Sequence, residues 1–202
     1  MTLVRLGPDS LPIRTRALAR ALIGCVLVRE SDEGRAAGRI VETEAYLPRD
    51  PACHAFRGKT RRNATLFGPP HRAYVYQIYG TSYCFNLSSE TEGCGAGVLV
   101  RALEPLAGLE LMQRRRGAGI RTRDLCRGPG RLCAALAIDL RLDGVDLFTD
   151  ERLWLAASAG RPPRVRTSRR IGLTRAAERR LRYYEAGSPW LSGPAHLSPA
   201  HS

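Results

Sequence analysis

The segment Arg39–Tyr46, with the sequence R-I-V-E-T-E-A-Y, places two glutamates and a tyrosine inside an apolar, β-branched run. Such a run favours a β-strand, and alternate residues of a strand face the same side of a sheet. Glu42, Glu44 and Tyr46 therefore share one face, about 6.6 Å apart at each two-residue step. Taken alone, the segment is typical of an edge strand with solvated acids. The residues that follow favour a functional site.

Turn signals on either side of this segment predict the surrounding fold. A strand at 25–30, the turn S-D-E-G and a partner strand at 37–47 predict a hairpin that presents Glu44 near one end. A helix is predicted from Asp9 or Ser10 to Leu22, ending at Gly24. Further strands are predicted at 72–79, 82–88, 98–103 and 181–185, an extended segment at 145–155, and helices at 106–116 and 130–138. The basic stretch 48–70 reads as irregular, with a short helix capped by Asp50.

The composition indicates a globular protein with a polyanionic partner. The chain has 202 residues, 44% of them hydrophobic, and a formal net charge of +13. This excess of cations favours nucleic acid as partner, ahead of an anionic membrane. No apolar run is long enough to span a bilayer and no signal peptide is recognisable, so we expect a cytoplasmic protein.

The cysteines and histidines do not predict a metal site. The six cysteines form no C-x-x-C pair, and the four histidines add no paired ligand spacing. The cysteines are therefore interpreted as reduced thiols of the core.

Aromatic residues alternate with basic residues between 54 and 83. Four of the seven tyrosines fall in R-A-Y-V-Y-Q-I-Y-G-T-S-Y, and Tyr79 stands at a glycine turn, where a core role is unfavourable. Arginines bind phosphates, and aromatic rings stack on bases or wedge between them. A nearby carboxylate adds the general base that attack on the sugar of an extruded nucleotide requires. Sheet packing remains the simpler interpretation for Tyr74 and Tyr83.

A series of motifs resembles the 3-methyladenine (alkyladenine) DNA glycosylase family. After R-I-V-E-T-E-A-Y come His54, R-G-K-T-x-R-N, F-G-P-P, Y-V-Y-x-I-Y-G, C-F-N, V-L-V-R-A-L-E-P and G-S-P-W, in order, over roughly residues 5 to 192. The resemblance implies an α+β fold: a single compact domain with a curved, mainly antiparallel sheet and flanking helices. It implies a monomer that acts without cofactor or metal on double-stranded DNA containing damaged purines. The domain is expected at 1–192, followed by a loosely ordered tail at 193–202.

The resemblance also implies a role for individual residues. Glu44 would activate the attacking water and Arg101 would help to hold it, while Tyr79 would intercalate into the DNA. The base pocket would be lined by Tyr46, His54, Tyr76 and Asn86, with Asn86 excluding the 2-amino group of guanine. The DNA backbone would be contacted by Arg57, Lys59 and Arg62. The expected substrates are 3-methyladenine and 7-methylguanine, with hypoxanthine as a further candidate.

The residues leave several alternatives open. Arg101, inside an apolar strand, is typical of a partner for a buried acid such as Glu42 or Glu44. Lys59 is the only lysine, and it lies away from Glu44, which favours a monofunctional hydrolase over a Schiff-base mechanism. Thr81 and Ser82 follow Tyr79 and Gly80, at the place where the family usually has a methionine.

The arginines at 114–116 and 161–170 are interpreted as solvated, with phosphate contacts as a hypothesis. The main functional alternative is a non-catalytic nucleic-acid-binding domain.

Overall fold

A computed structural model describes residues 3–157 and 162–198. Its sheet has eight strands, which are β1 Val26–Ser31, β2 Gly34–Tyr46, β3 Ala73–Gln77, β4 Tyr83–Ser88, β5 Gly97–Ala107, β6 Leu153–Ala156, β7 Val165–Ser168 and β8 Arg182–Glu185. The α-helices of the described ranges are α1 Thr15–Ala21, α2 Leu109–Arg116 and α3 Pro129–Leu136. The 3₁₀-helices of the described ranges lie at Pro8–Ser10, Arg61–Phe67, Thr122–Asp124, Leu140–Leu142 and Ala195–Leu197.

Strand β2 organises the sheet. The main order is β3-β4-β5-β2-β1-β6, and all the pairings are antiparallel. The first part of β2 pairs with β1 through the turn between Ser31 and Gly34, whereas its last part pairs with β8, which in turn pairs with β7. The curved antiparallel sheet with flanking helices confirms the predicted α+β fold as a single compact domain.

The helices cover one face of the sheet and leave the other face for the site. Leu18 of α1, Met112 of α2 and Leu132 of α3 are fully buried in one cluster with strand residues such as Phe85. In β2, Thr43 faces this helical side, because its hydroxyl donates to the carbonyl of Ala19 over 2.8 Å. Its neighbours Glu42 and Glu44 therefore project from the opposite face.

Most predicted elements are present, with shifted ends. The first helix begins at Thr15, since residues 8–10 form a separate 3₁₀ turn, and it ends before Gly24, whose φ is +95°. Helix α2 begins at Leu109 rather than at 106, because β5 continues to Ala107 and Gly108 turns the chain with φ +73°. Of the extended segment at 145–155, only its end forms a strand.

Two other expectations need correction. The helix predicted to begin at Asp50 is absent, because residues 51–57 form turns and a bend. The segment 161–170 is not all a solvated loop, since it contains β7 and ends in the buried Arg170. Arg161 and residues 199–202 of the expected tail lie outside the described residues, and the domain boundary at 192 stays a prediction. No helix in the described ranges is long and apolar enough to cross a membrane.

Candidate active site

Glu44 lies fully buried near the end of β2, with three hydrogen-bond donors around its carboxylate. The backbone amide of Ile171 donates to Oε1 over 2.7 Å, and the hydroxyl of Tyr46 donates to Oε2 over 2.9 Å. The Nη1 atom of Arg101 lies 3.1 Å from Oε2. A carboxylate has about four lone-pair positions. Glu44 is thus held firmly, with room for about one further donor.

Arg101 of β5 lies between the two acids of β2. Its Nε is 3.1 Å from Oε1 of Glu42, and its Nη1 contacts Glu44. The β2–β5 register shifts on both sides of Glu42, a bulge that locally re-aims side chains. Burial lowers the pKa of Arg101, but attraction to Glu44 and then Glu42 outweighs this and raises the pKa above its ordinary value. The guanidinium is therefore a permanent cation beside both carboxylates.

Glu42 is a buried acid with two ion-pair partners. Besides Arg101, it binds Nε of Arg182 at 2.6 Å, and both side chains of that pair are fully buried. Ser192 donates to it through its backbone amide and, over 2.9 Å, through its hydroxyl. These partners belong to the protein itself, so Glu42 is not available for chemistry.

A cavity opens in front of Tyr46 on the same face of the sheet. Its volume is about 110 Å³. Glu44 does not line this cavity and is linked to it through Tyr46. The lining residues are Tyr46, Ala52, Cys53, His54, Leu66, Tyr74, Tyr76, Asn86, Gly97 and Leu173.

The aromatic rings of the cavity hold one another in place. The ring of His54 lies 4.2 Å from that of Tyr76, at an interplanar angle of 63°, and its Nδ1 is 3.1 Å from the hydroxyl of Tyr74. Burial and then the charge of Arg62 lower the pKa of His54. Burial is also the main cause of the raised pKa of Tyr46, Tyr74 and Tyr76. The cavity is thus lined by uncharged rings at neutral pH. Tyr74 contributes to the site as well as to the sheet.

Asn86 has a fixed position in the cavity wall. It belongs to β4, pairs with Tyr74 of β3, and is almost fully buried. Its Nδ2 donates to the carbonyl of Tyr74 over 3.2 Å, which orients the amide. The remaining polar positions of the amide are available to a ligand in the cavity.

Tyr79 lies at the tip of the β3–β4 turn, with 94% of its surface exposed. The amide of Ile78 donates to the carbonyl of Ser82 over 2.7 Å, and Gly80 adopts φ +59°. A large ring held on a closed turn and left in solvent is what insertion into DNA requires. The structure therefore brings the predicted wedge to an exposed tip, although its role stays a prediction.

A groove separates Tyr79 from the basic residues that follow His54. It has a volume of about 470 Å³, and Arg57, Arg62 and Tyr79 are among its lining residues. It shares His54, Tyr74 and Tyr76 with the cavity, so the two are adjacent. Within the described ranges, no ion pair involves Arg57, Lys59, Arg61 or Arg62.

Sequence reasoning missed two residues behind the cavity. Asp50 and Arg170 form a buried ion pair at 2.6 Å, and the guanidinium lies 4.7 Å above the ring of Tyr46. Asp50 was expected to cap a helix and Arg170 to be solvated. Nothing in the local sequence around either residue indicates the pair. The predicted solvation of the arginines at 114–116 is also wrong for Arg115, which pairs with Glu33 and has a side chain only 9% exposed.

The site contains no candidate metal centre. Within residues 3–157 and 162–198, no group of three His, Cys, Asp or Glu side chains could hold a metal ion. All six cysteines are free, and burial raises the pKa of the cavity residue Cys53 to about 11, so its thiol stays protonated.

Several known proteins are similar to this chain over most of its length. A relative from Mesorhizobium japonicum, named "Putative 3-methyladenine DNA glycosylase", is 55% identical over 94% of this chain and 90% of its own. A relative of the same name from Rubrobacter xylanophilus is 51% identical over 88% and 92%. The "DNA-3-methyladenine glycosylase" of Mus musculus is 46% identical over 93% of this chain and 61% of its own. Because the family model of methylpurine-DNA glycosylase (MPG) matches residues 10–189, the chain belongs to the methylpurine-DNA glycosylase family.

Proposed function

We propose that this protein is a monofunctional DNA glycosylase that flips alkylated purines out of duplex DNA and hydrolyses their N-glycosidic bond. The observation that carries the proposal is Glu44, which is held by Arg101 and Tyr46 directly behind an aromatic cavity. The expected substrates are 3-methyladenine and 7-methylguanine, with hypoxanthine as a further candidate. Residues 1–192 would carry the activity as a monomer, on the DNA of the bacterial nucleoid.

The groove supports binding of the duplex. Arg57, Lys59 and Arg62 are exposed and lack acidic partners among the described residues, so they are available to phosphates. Across the groove, Tyr79 would enter the duplex and fill the space of the extruded nucleotide. Because the groove and the cavity share His54, Tyr74 and Tyr76, the flipped base would have only a short distance to move from the duplex to the cavity.

The uncharged rings of the cavity favour an alkylated purine. A purine alkylated at N3 or N7 carries a positive charge, and aromatic faces attract cations. Tyr46, His54 and Tyr76 would surround the base, and Asn86 would oppose the 2-amino group of normal guanine. 7-Methylguanine carries the same 2-amino group, and attraction of its positive charge to the rings would offset this opposition. The lowered pKa of His54 keeps a competing positive charge out of the cavity at neutral pH.

Glu44 would act as the general base. Its remaining hydrogen-bonding position would accept a proton from water as the water oxygen bonds to C1′. The glycosidic bond breaks, and its electron pair neutralises the cationic purine, which leaves as the free base. Arg101 would orient the water, while the negative charge of Glu44 stabilises the oxocarbenium-like transition state. Each effect is worth on the order of 10² to 10⁴ in rate.

Release of 3-methyladenine from methylated DNA tests the proposal. We expect release by the wild type and a loss of about 10²- to 10⁴-fold in Glu44→Gln, with DNA binding retained. No release by the wild type would instead support the non-catalytic binding domain, which the buried acid and the arginine behind the cavity do not favour. Borohydride trapping of a covalent intermediate would contradict monofunctional hydrolysis, since Lys59 is the only side-chain amine.

A further inference from the structure

Arg170 and Asp50 form an ion pair that the proposed chemistry does not use. Nη1 of Arg170 lies 2.6 Å from Oδ2 of Asp50, and Nη2 lies 3.2 Å from Oδ1. Both side chains are completely removed from solvent. A buried ion pair usually stabilises the folded state little more than apolar residues of similar volume would. A role other than stability is therefore worth testing.

The guanidinium of Arg170 connects three segments around the site. It donates to the carbonyl of Ala45 at the end of β2 over 3.0 Å, and to the carbonyl of Ala176 in the β7–β8 loop over 3.4 Å. Its third partner is Asp50, in the segment that follows β2. The Cζ atom of this guanidinium also lies 4.7 Å from the centre of the Tyr46 ring, and a planar cation packs well on an aromatic ring.

Each of these segments carries part of the site. Oδ1 of Asp50 accepts a hydrogen bond from the amide of Ala52 over 3.1 Å. The backbone carbonyl of Asp50 accepts one from the amide of Cys53 over 2.8 Å. Ala52 and Cys53 line the cavity. Next to Arg170, the amide of Ile171 donates to Glu44. Arg170 thereby fixes the surroundings of both Tyr46 and Glu44, the proposed general base.

We propose that Arg170, together with Asp50, is a positioning residue for base excision. The pair holds the ring of Tyr46 and the amide of Ile171 in the positions from which both bind Glu44. This inference rests on the proposed function. Arg170 does not line the cavity, so it acts through Tyr46 and Ile171 rather than on the substrate.

A double substitution, Asp50→Asn with Arg170→Met, tests the inference. It removes both charges, because removing one alone would leave an uncompensated buried charge and endanger folding. The expected result is a single-turnover excision rate about 10- to 100-fold lower, as for a misplaced catalytic group. Affinity for undamaged duplex should not change, since no exposed cation is lost. The ¹⁹F resonance of 3-fluorotyrosine placed at position 46 should broaden or split.

Arg5→Met is the matched control. The guanidinium of Arg5 lies 4.5 Å from the ring of Trp154 and donates to the carbonyls of Phe148 and Asp150, outside the site. This variant should keep the wild-type rate and an unchanged fluorine spectrum. Arg170→Lys retains the charge but not the planar fork, so we expect a folded protein with a reduced rate even if the double variant does not fold.

The outcomes separate the two proposals. No base release by the wild type would overturn the proposed function and, with it, this inference. Release by the wild type with unchanged rates in the folded double variant and in Arg170→Lys would overturn the positioning role alone. A lower melting temperature with an unchanged excision rate would do the same, because a merely structural pair predicts that pattern.

Discussion

The hydroxyl of Tyr46 donates a hydrogen bond of 2.9 Å to Oε2 of Glu44, two residues earlier on the same strand. One residue therefore belongs to the cavity wall and also contacts the proposed general base. In the proposed function, Tyr46 would contact both the bound base and the carboxylate, so one strand would join recognition to chemistry.

Tyr46→Phe separates these two functions. The ring and its contact with Arg170 remain, but Glu44 loses a donor worth about 1.5–3 kcal/mol for a bond to a charged group. Single-turnover excision should fall by about 10- to 100-fold, while binding of lesion-bearing DNA changes little. Tyr46→Ala, which also removes the ring, should lose both. An unchanged rate in Tyr46→Phe would show that the hydroxyl does not hold Glu44 in the position that excision requires.

Tyr79→Ala should affect DNA engagement without affecting the fold. The side chain is 94% exposed, so the free energy of unfolding should change by no more than about 0.5 kcal/mol. Loss of the ring should weaken binding of a lesion-bearing duplex by about 1–3 kcal/mol, the usual contribution of one stacked ring. Tyr79→Phe is the control and should behave as wild type. Equal affinity of Tyr79→Ala and wild type in a fluorescence-anisotropy titration would contradict the wedge role.

The strand pattern of the site could be predicted from sequence, whereas its long-range pairs could not. Alternation along β2 places Glu42 and Glu44 on one face, and the apolar context of Arg101 indicates an acidic partner. Asp50 and Arg170, in contrast, are 120 residues apart. They meet because β7, which ends two residues before Arg170, is joined through β8 to the last part of β2. The residues on either side of Asp50 indicate a helix cap, and those around Arg170 indicate a solvated loop. Neither local pattern contains information about a partner that is distant in the sequence. The late start of α2 likewise depends on β5 extending to pair with β2.

The pH profile of the excision rate should fall on the acidic side as His54 becomes protonated. Arg62 should influence the pH of this fall, because its charge helps to lower the pKa of His54. Because the folded pKa of His54 is lowered, first by burial and then by Arg62, the imidazole stays neutral until the pH falls through that value. Protonation would then place a positive charge beside a cationic purine, and excision should decline. Below about pH 6.5 the unfolded state takes up the proton first, so stability also falls with acid.

Arg62→Ala should raise the pKa of His54 and move this fall in the excision rate to higher pH. Arg61→Ala is the matched control, because Arg61 is an exposed neighbour that does not contribute to the shift of His54. The His54 ring signals in an NMR titration and the pH profile of single-turnover excision should move together. A pKa that moves in Arg61→Ala but not in Arg62→Ala would contradict the assignment.

The basic side of the groove should determine the salt dependence of DNA binding. Replacement of both Arg57 and Lys59 by alanine should reduce the slope of log K against log salt concentration by about 0.9 for each lost phosphate contact. Arg141→Ala serves as control, since Arg141 is also exposed but is paired with Asp139 at 2.7 Å. Binding isotherms at several salt concentrations provide the slopes. Equal slopes for the double variant and wild type would exclude phosphate contacts by these two residues.

Asn86→Ser should allow undamaged guanine into the cavity. The amide of Asn86 is fixed by its bond to the carbonyl of Tyr74, so it cannot turn away from a 2-amino group without leaving a buried donor unpaired. The shorter serine removes this obstacle, and free guanine should be released from unmodified DNA at a rate that chromatography can detect. Excision of 3-methyladenine, which lacks the 2-amino group, should change far less. Cys53→Ala, which also shortens a cavity side chain, should release no guanine; release by both variants would indicate a general loosening of the cavity rather than exclusion by Asn86.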